Sequence, residues 1–142
     1  DRYSYFGMVS GGIGWGIAAA IGVQLAQPNR RVVAIIGDGS AMYSPQALWT
    51  AAHLKLPITF VILNNRGYRI LKERLIAFHG DERFIGMDFK DPPIDLSALS
   101  TALGTPGQQI NDPDEFIASF SESLKSSEPS LLEVMVEPGP GN

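Results

Sequence analysis

Two polar clusters interrupt otherwise apolar stretches of the chain. Gly37-Asp38-Gly39-Ser40 stops a β-branched run at 32–36, and Asn64-Asn65 stops a second run at 58–63. Glycines on both sides of an aspartate let the backbone turn sharply and approach a ligand closely. The amides that follow can face an anion such as a phosphate. A carboxylate among those amides repels the phosphate unless a cation lies between them. Mg2+ suits that place, because it takes hard oxygen ligands in an octahedron and combines one or two carboxylates with phosphate oxygens. A second protein oxygen is available from the Asn65 side chain, and a third from the backbone of the Arg66-Gly67 turn. Two phosphate oxygens and a water complete the shell. The plainer reading of Asp38, a polar residue in an ordinary strand-to-helix turn, leaves the paired asparagines unexplained.

The elements that must position these residues alternate along the chain. A small-residue apolar segment at 13–26 predicts a helix buried on most sides, closed by Pro28-Asn29. The run at 32–36 predicts a strand covered on both faces of a parallel sheet. Ser44 and Pro45 predict the N-cap and first residue of a helix over 46–54. A second buried strand is expected at 58–63, then a helix over 67–78 with Ile70, Leu71, Leu75 and Phe78 at helical spacing. The segment 80–93, rich in Asp, Gly and Pro, predicts a long loop. A short helix at 96–103, a weak strand at 108–110, a helix led by Asp112 and Pro113 to about residue 126, and a strand at 131–136 complete the pattern. Strands alternating with helices imply an α/β fold, three layers (α/β/α) around a mostly parallel sheet. In such sheets ligands bind beyond the carboxyl ends of the strands, where Asp38 and Asn64-Asn65 fall. Residues 1–137 are expected to form one domain and 138–142 a loose tail.

Composition narrows the partners. The net charge is −4, which argues against nucleic acid, since phosphate neutralisation needs a basic surface. The absence of cysteine excludes disulfides and thiolate-ligated zinc, and two histidines are too few for a His-rich metal site. Apolar stretches are too short to span a bilayer and no secretory signal opens the chain, so no membrane partner and a cytoplasmic location are expected. The chain opens on Asp1 rather than Met, which suggests a piece of a longer polypeptide.

Gly37-Asp38-Gly39, then the 24 residues 40–63, then Asn64-Asn65 resembles the GDG…NN motif of thiamine diphosphate-dependent enzymes. The wider stretch 10–65 is similar to benzoylformate decarboxylase-like 2-oxo acid decarboxylases, and the likeness is read over Tyr5 to about Leu71, with only a fold-level likeness beyond Lys72. The resemblance implies an incomplete diphosphate-binding domain, with Asp38, Asn65 and the Gly67 carbonyl on Mg2+ and with Gly37, Gly39, Ser40, Asn65, Gly67 and Tyr68 around the thiamine diphosphate. It assigns Gly11 to a hydrogen bond from the aminopyrimidine and Ile13 to propping the cofactor in its bent shape; a turn and core packing are the plainer readings of those two. Arg66 departs from the small residue that relatives often carry. Ile70 and Arg74 fall where relatives line the substrate pocket, although a solvated helix face is the simpler reading of Arg74.

The same resemblance implies non-oxidative C–C cleavage of a 2-oxo acid, with the cofactor taking up the electrons left when CO2 departs. The activating glutamate of such enzymes lies on a pyrimidine-binding domain, of the same or a partner subunit, so no catalytic residue is expected in this chain. His53 and His79 are read as packing or surface residues. A homo-oligomer, dimer or tetramer, is expected of the intact enzyme, and self-association of this piece alone. An inactive paralogue whose sheet serves only as an assembly module is disfavoured by the presence of both Asp38 and Asn65, and two other readings compete. One is an acetolactate synthase-like ligase; the sequence Tyr43 to Trp49 resembles the decarboxylases more. The other is a nicotinamide-binding Rossmann unit, since Gly14-Trp15-Gly16-Ile17-Ala18-Ala19 fits G-x-G-x-x-A. That rule needs a buried strand before the glycines, and residues 1–10 make a poor one.

Overall fold

The computed structural model describes residues 4–7 and 12–139. The elements run α1 (Gly16–Ala26), β1 (Val32–Gly37), α2 (Asp38–Ala41), α3 (Ala47–His53), β2 (Ile58–Asn64), α4 (Arg69–His79), α5 (Leu96–Ala102), β3 (Gly107–Ile110), α6 (Pro113–Ser123) and β4 (Ser130–Met135). The four strands form one sheet in the order β1-β2-β4-β3, parallel throughout. This is the α/β fold that the alternation of elements predicts.

Strand alternation sorts the sheet into two faces. Ala34 and Ile36 of β1, Ile58, Phe60 and Ile62 of β2 and Leu131 of β4 share a core with Ile17, Ala20 and Ile21 of α1, Leu48 and Ala51 of α3 and Leu96 of α5. Phe60 and Ile62 are wholly buried there. The other face carries α6, whose Ser123 meets the Thr59 hydroxyl of β2 at 3.2 Å. This second layer lies over β4, β3 and part of β2. Val33, Ile35 and Leu63 remain exposed, Ile35 at 70%. The expectation that β1 is covered on both faces is therefore corrected: among the described residues β1 is an edge strand, packed on one face.

Four further local expectations are revised. α1 begins at Gly16 and buries one stripe, Ile17, Ala20, Ile21 and Gln24, leaving Ala18, Gly22 and Leu25 exposed. Ser44 does not cap α3. Its hydroxyl donates instead to the Gly14 carbonyl at 2.8 Å, Gln46 takes the N-cap position, and the helix starts at Ala47, two residues later than Pro45 implied. The helix after Asn65 starts at Arg69 rather than Gly67, and its apolar residues do not face the core. Ile70, Leu71 and Phe78 are exposed, while Lys72 is the residue it buries. The last helix ends at Ser123; its start is as expected, with the Asp112 carboxylate accepting the N–H groups of Asp114 and Glu115 and Pro113 at N1. Among the described residues no helix is long and apolar enough to cross a membrane.

Candidate functional site

Gly37 of β1 stands in register with Leu63 of β2, so Asp38 and Asn64 leave neighbouring strands at the same edge of the sheet. From there the two asparagines diverge. Asn64 turns into the protein: its Nδ2 donates to Glu133 Oε1 at 2.5 Å and its Oδ1 accepts the Arg66 N–H at 2.8 Å. Asn65 borders a cavity of about 910 Å3 that also takes in Ile13, Gly37, Asp38, Gly39, Ser40, Gly67 and Tyr68. Among the described residues, every one named for cofactor or metal borders this space. Gly11 lies outside the described residues.

The electrostatics of this corner are uncompensated by the protein. Asp38 is 2% exposed. Burial pushes its carboxyl above the ordinary carboxylate range, opposed by backbone N–H groups of Gly39, Gly67 and Arg66; the Gly67 N–H lies 2.9 Å from Oδ2. The Asn65 Oδ1 is buried with no hydrogen-bond partner. A buried, unsatisfied carbonyl costs about 1–3 kcal/mol in desolvation, so natural proteins keep such groups where something else satisfies them. A buried carboxylate that accepts backbone N–H groups and an orphan carbonyl, both bordering one cavity, form a hard, all-oxygen donor set that suits Mg2+. Among the described residues no cluster of three or more His, Cys, Asp or Glu competes for a metal.

The diphosphate side has a matching shape. Asp38 to Ala41 form a single helical turn, so successive amides face the same way. A Cβ on Gly39 would lie 2.6 Å from the Tyr68 ring, so any larger residue displaces that ring or closes the approach. Burial also raises the Tyr68 pKa, followed by its Tyr43 neighbour and then Asp38, and the phenol keeps its proton at neutral pH. The Ser40 hydroxyl accepts the Gly14 N–H at 2.8 Å. With the Ser44 bond to the Gly14 carbonyl, this pins the segment carrying Ile13 over the end of β1.

Sequence reasoning missed the frame behind the turn. Arg66 adopts the left-handed region with φ of 62°, which explains why a small residue suits that position. The turn is sealed by an antiparallel bridge between Gly67 and Asp88, with Tyr68 N–H to the Met87 carbonyl and Phe89 N–H to the Arg66 carbonyl, both 2.9 Å. Lys72 reaches under it to Asp88 at 2.5 Å and lies 5.2 Å from the Phe84 ring centre. The segment read as a long loop is thus clamped to the candidate metal turn. One signal was available, an acid at Glu133 inside an apolar strand. His53 stacks on Trp49 at 4.8 Å and His79 ends α4, away from the cavity. Ile70 borders the cavity, whereas Arg74 is on the solvent face.

A family model for the thiamine pyrophosphate enzyme, C-terminal TPP binding domain, matches residues 2–134. The chain belongs to this family. The match runs well beyond Leu71, so the likeness is more extensive than the motif-bearing half suggests. The TPP-binding domain is 37% identical over 131 residues to benzoylformate decarboxylase of Pseudomonas aeruginosa, covering 92% of this chain and 24% of that protein. It is 36% identical over 127 residues to the large subunit of acetolactate synthase isozyme 2 of Escherichia coli, covering 89% of this chain and 23% of that protein. A thiamine diphosphate-dependent 4-hydroxybenzoylformate decarboxylase from Rhodococcus jostii superposes with a TM-score of 0.85 at 39% identity, over 91% of this chain and 24% of that one. The TPP-binding domain therefore spans about a quarter of the length of these relatives. The strand that the dinucleotide reading requires before Gly14 would fall on residues 8–11, outside the described residues.

Proposed function

We propose that this chain holds Mg2+ and the diphosphate of thiamine diphosphate within a benzoylformate decarboxylase-like, non-oxidative 2-oxo acid carboxy-lyase. The observation that carries the reading is the buried Asn65 carbonyl without a protein partner, beside the same cavity as the Asp38 carboxylate. In this reading Asp38 Oδ1 or Oδ2, Asn65 Oδ1 and the Gly67 carbonyl ligate the metal. Gly37, Gly39, Ser40 and Tyr68 border the diphosphate, Ile13 the thiazolium and pyrimidine bridge, and Gly11 the aminopyrimidine. The bound cofactor supplies the electron sink for the bond to the departing carboxylate. The chain's own residues bind, orient and exclude water. The proton chemistry belongs to a glutamate on a pyrimidine-binding domain, of the same or a partner subunit, so the chain alone is inactive. Residues 1–137 serve as the cofactor domain and 138–142 as a tail. The intact enzyme is a homo-oligomer in the cytoplasm.

Calorimetric titration of the full-length polypeptide with thiamine diphosphate, with Mg2+ and with excess chelator, tests the first half. Binding is expected only with Mg2+; metal-independent binding, or none, overturns the reading. The second reading, an acetolactate synthase-like ligase, is favoured by the Escherichia coli relative. Supplying benzoylformate and pyruvate separately and identifying the products decides between them: CO2 with an aldehyde supports the lyase, and condensation of two 2-oxo acids supports the ligase.

A further inference from the structure

Glu133 is wholly buried in the middle of β4. Three N–H donors converge on it: Asn64 Nδ2 at 2.5 Å and Leu96 N at 3.3 Å on Oε1, and Ser97 N at 2.9 Å on Oε2. Two of these belong to the first turn of α5, which holds the carboxylate still. The third decides how the Asn64 amide lies. Both Glu133 oxygens accept from the α5 amides and the Arg66 N–H can only donate, so the Asn64 NH2 faces Glu133 and its carbonyl faces Arg66. In the flipped amide, oxygen would meet oxygen at Glu133 and NH2 would meet N–H at Arg66. The correct orientation closes a two-residue side-chain turn from Asn64 Oδ1 to the Arg66 N–H, which holds Arg66 at φ 62°. The next amide, Gly67, donates to Asp38.

We infer that Glu133 is a positioning residue for the metal site. Acting through Asn64, it sets the backbone of the turn that presents the Asn65 side chain and the Gly67 carbonyl beside Asp38. This rests on the metal reading above and deepens it. The first asparagine of the pair orients and the second ligates, which is why two amides stand together where one would serve as ligand.

The test is a hydrogen-bond reversal in the full-length polypeptide. Asn64→Asp sets two carboxylates against each other, and Glu133→Gln leaves a bare NH2 facing donors. In the double variant Asn64→Asp with Glu133→Gln, the new amide NH2 at position 133 donates to the new carboxylate at position 64 and the amide keeps an oxygen for the Ser97 N–H, giving up only the longer Leu96 contact. Variants are first checked for folding by circular dichroism. Then the affinity for thiamine diphosphate and the Mg2+ concentration for half-saturation are measured by tryptophan quenching. Each single variant is expected to weaken cofactor binding about tenfold or more and to raise the Mg2+ requirement, consistent with loss of one charge-assisted hydrogen bond. The double variant is expected to recover to within about threefold. Should Glu133→Gln not fold, Asn64→Ser, which cuts the link while leaving the α5 contacts, carries the same expectation. Folded single variants with wild-type affinity and Mg2+ dependence overturn the inference, because a merely structural role lowers Tm without moving either constant. Asp38→Asn run alongside separates the two levels. If it loses affinity while the Asn64 and Glu133 variants keep theirs, only this inference falls; if it too binds like wild type, the metal reading falls with it.

Discussion

Asp38 illustrates how a functional residue differs from a stabilising one. Taking a carboxylate out of water is costly unless a positive charge compensates, and backbone N–H groups donate to Asp38. Replacing it by Asn keeps an oxygen for the Gly67 N–H and removes the buried charge. Asp38→Asn is therefore expected to raise the Tm of the metal-free protein at neutral pH while abolishing the increase in Tm that Mg2+ and thiamine diphosphate give the wild type. Differential scanning calorimetry with and without both ligands measures this; a variant that is less stable without metal, or still stabilised by it, contradicts the assignment. Asn65 follows the same logic, since its buried carbonyl has no partner within the described protein. The residue types at 37–40 and 64–65 were enough to nominate this pair, because a carboxylate and an amide closing apolar runs have little other purpose. The division of labour between Asn64 and Asn65 was not legible, because it depends on Glu133, 69 residues away in sequence from Asn64.

At the scale of elements, the candidate metal turn is stiffened from outside by the 84–89 segment. A Cβ on Gly67 would approach the Met87 carbonyl oxygen to 2.5 Å, a backbone atom that cannot rotate away. Gly67→Ala is expected to cost about 1–3 kcal/mol and to loosen that segment, read as faster amide exchange at Tyr68 and Phe89. Lys72→Met should act on the same clamp from below. It strands Asp88, whose side chain is 26% exposed, so the loss is expected nearer 2 kcal/mol than the roughly 3–5 of a fully buried pair. The cap of α5 behaves more simply. The Ala98 N–H, then the Ser97 hydroxyl, hold the Asp95 carboxyl below its ordinary value of 3.8. A lowered folded-state pKa means the contribution is complete above the unfolded value and is lost as pH falls through the folded one. Asp95→Ala should thus cost about 1 kcal/mol at pH 7, and the gap from wild type should close in melts taken well below pH 3.8. The caps at Asp95 and Asp112 show what local sequence settles and what it does not. Asp112-Pro113 reads directly as a helix start, while Ser44-Pro45 looks the same and fails, because the Gly14 carbonyl claims the Ser44 hydroxyl.

For the whole molecule, the open face is the main consequence of a four-stranded sheet ending at β1. Val33, Ile35 and Leu63 lie exposed on it, with Ile70 of α4 nearby and the free edge of β1 beside them. An apolar surface next to an unpaired strand edge favours association. The isolated chain is expected to form dimers or larger species at tens of micromolar, and Ile35→Lys is expected to shift it towards monomer, as read by light scattering coupled to size exclusion. A wild-type chain that stays monomeric at that concentration contradicts this. A run of five apolar residues at 32–36 implies cover on both sides, and among the described residues one side of β1 is packed.

What the sequence determined by itself was local or periodic in origin. The alternation of apolar runs with helical segments set the α/β order, because a strand and a helix each declare themselves by repeat. The polar residues closing β1 and β2 marked the ligand edge, because parallel strands in such a fold end at the same rim. Only the tertiary structure decided which of those polar groups face the cavity and which brace it. Asn64 against Glu133, Ser40 and Ser44 on Gly14, Lys72 beneath Asp88 and the bare face of β1 all depend on residues brought together across the fold, and hydrogen-bond direction and burial at such contacts leave no period in the chain.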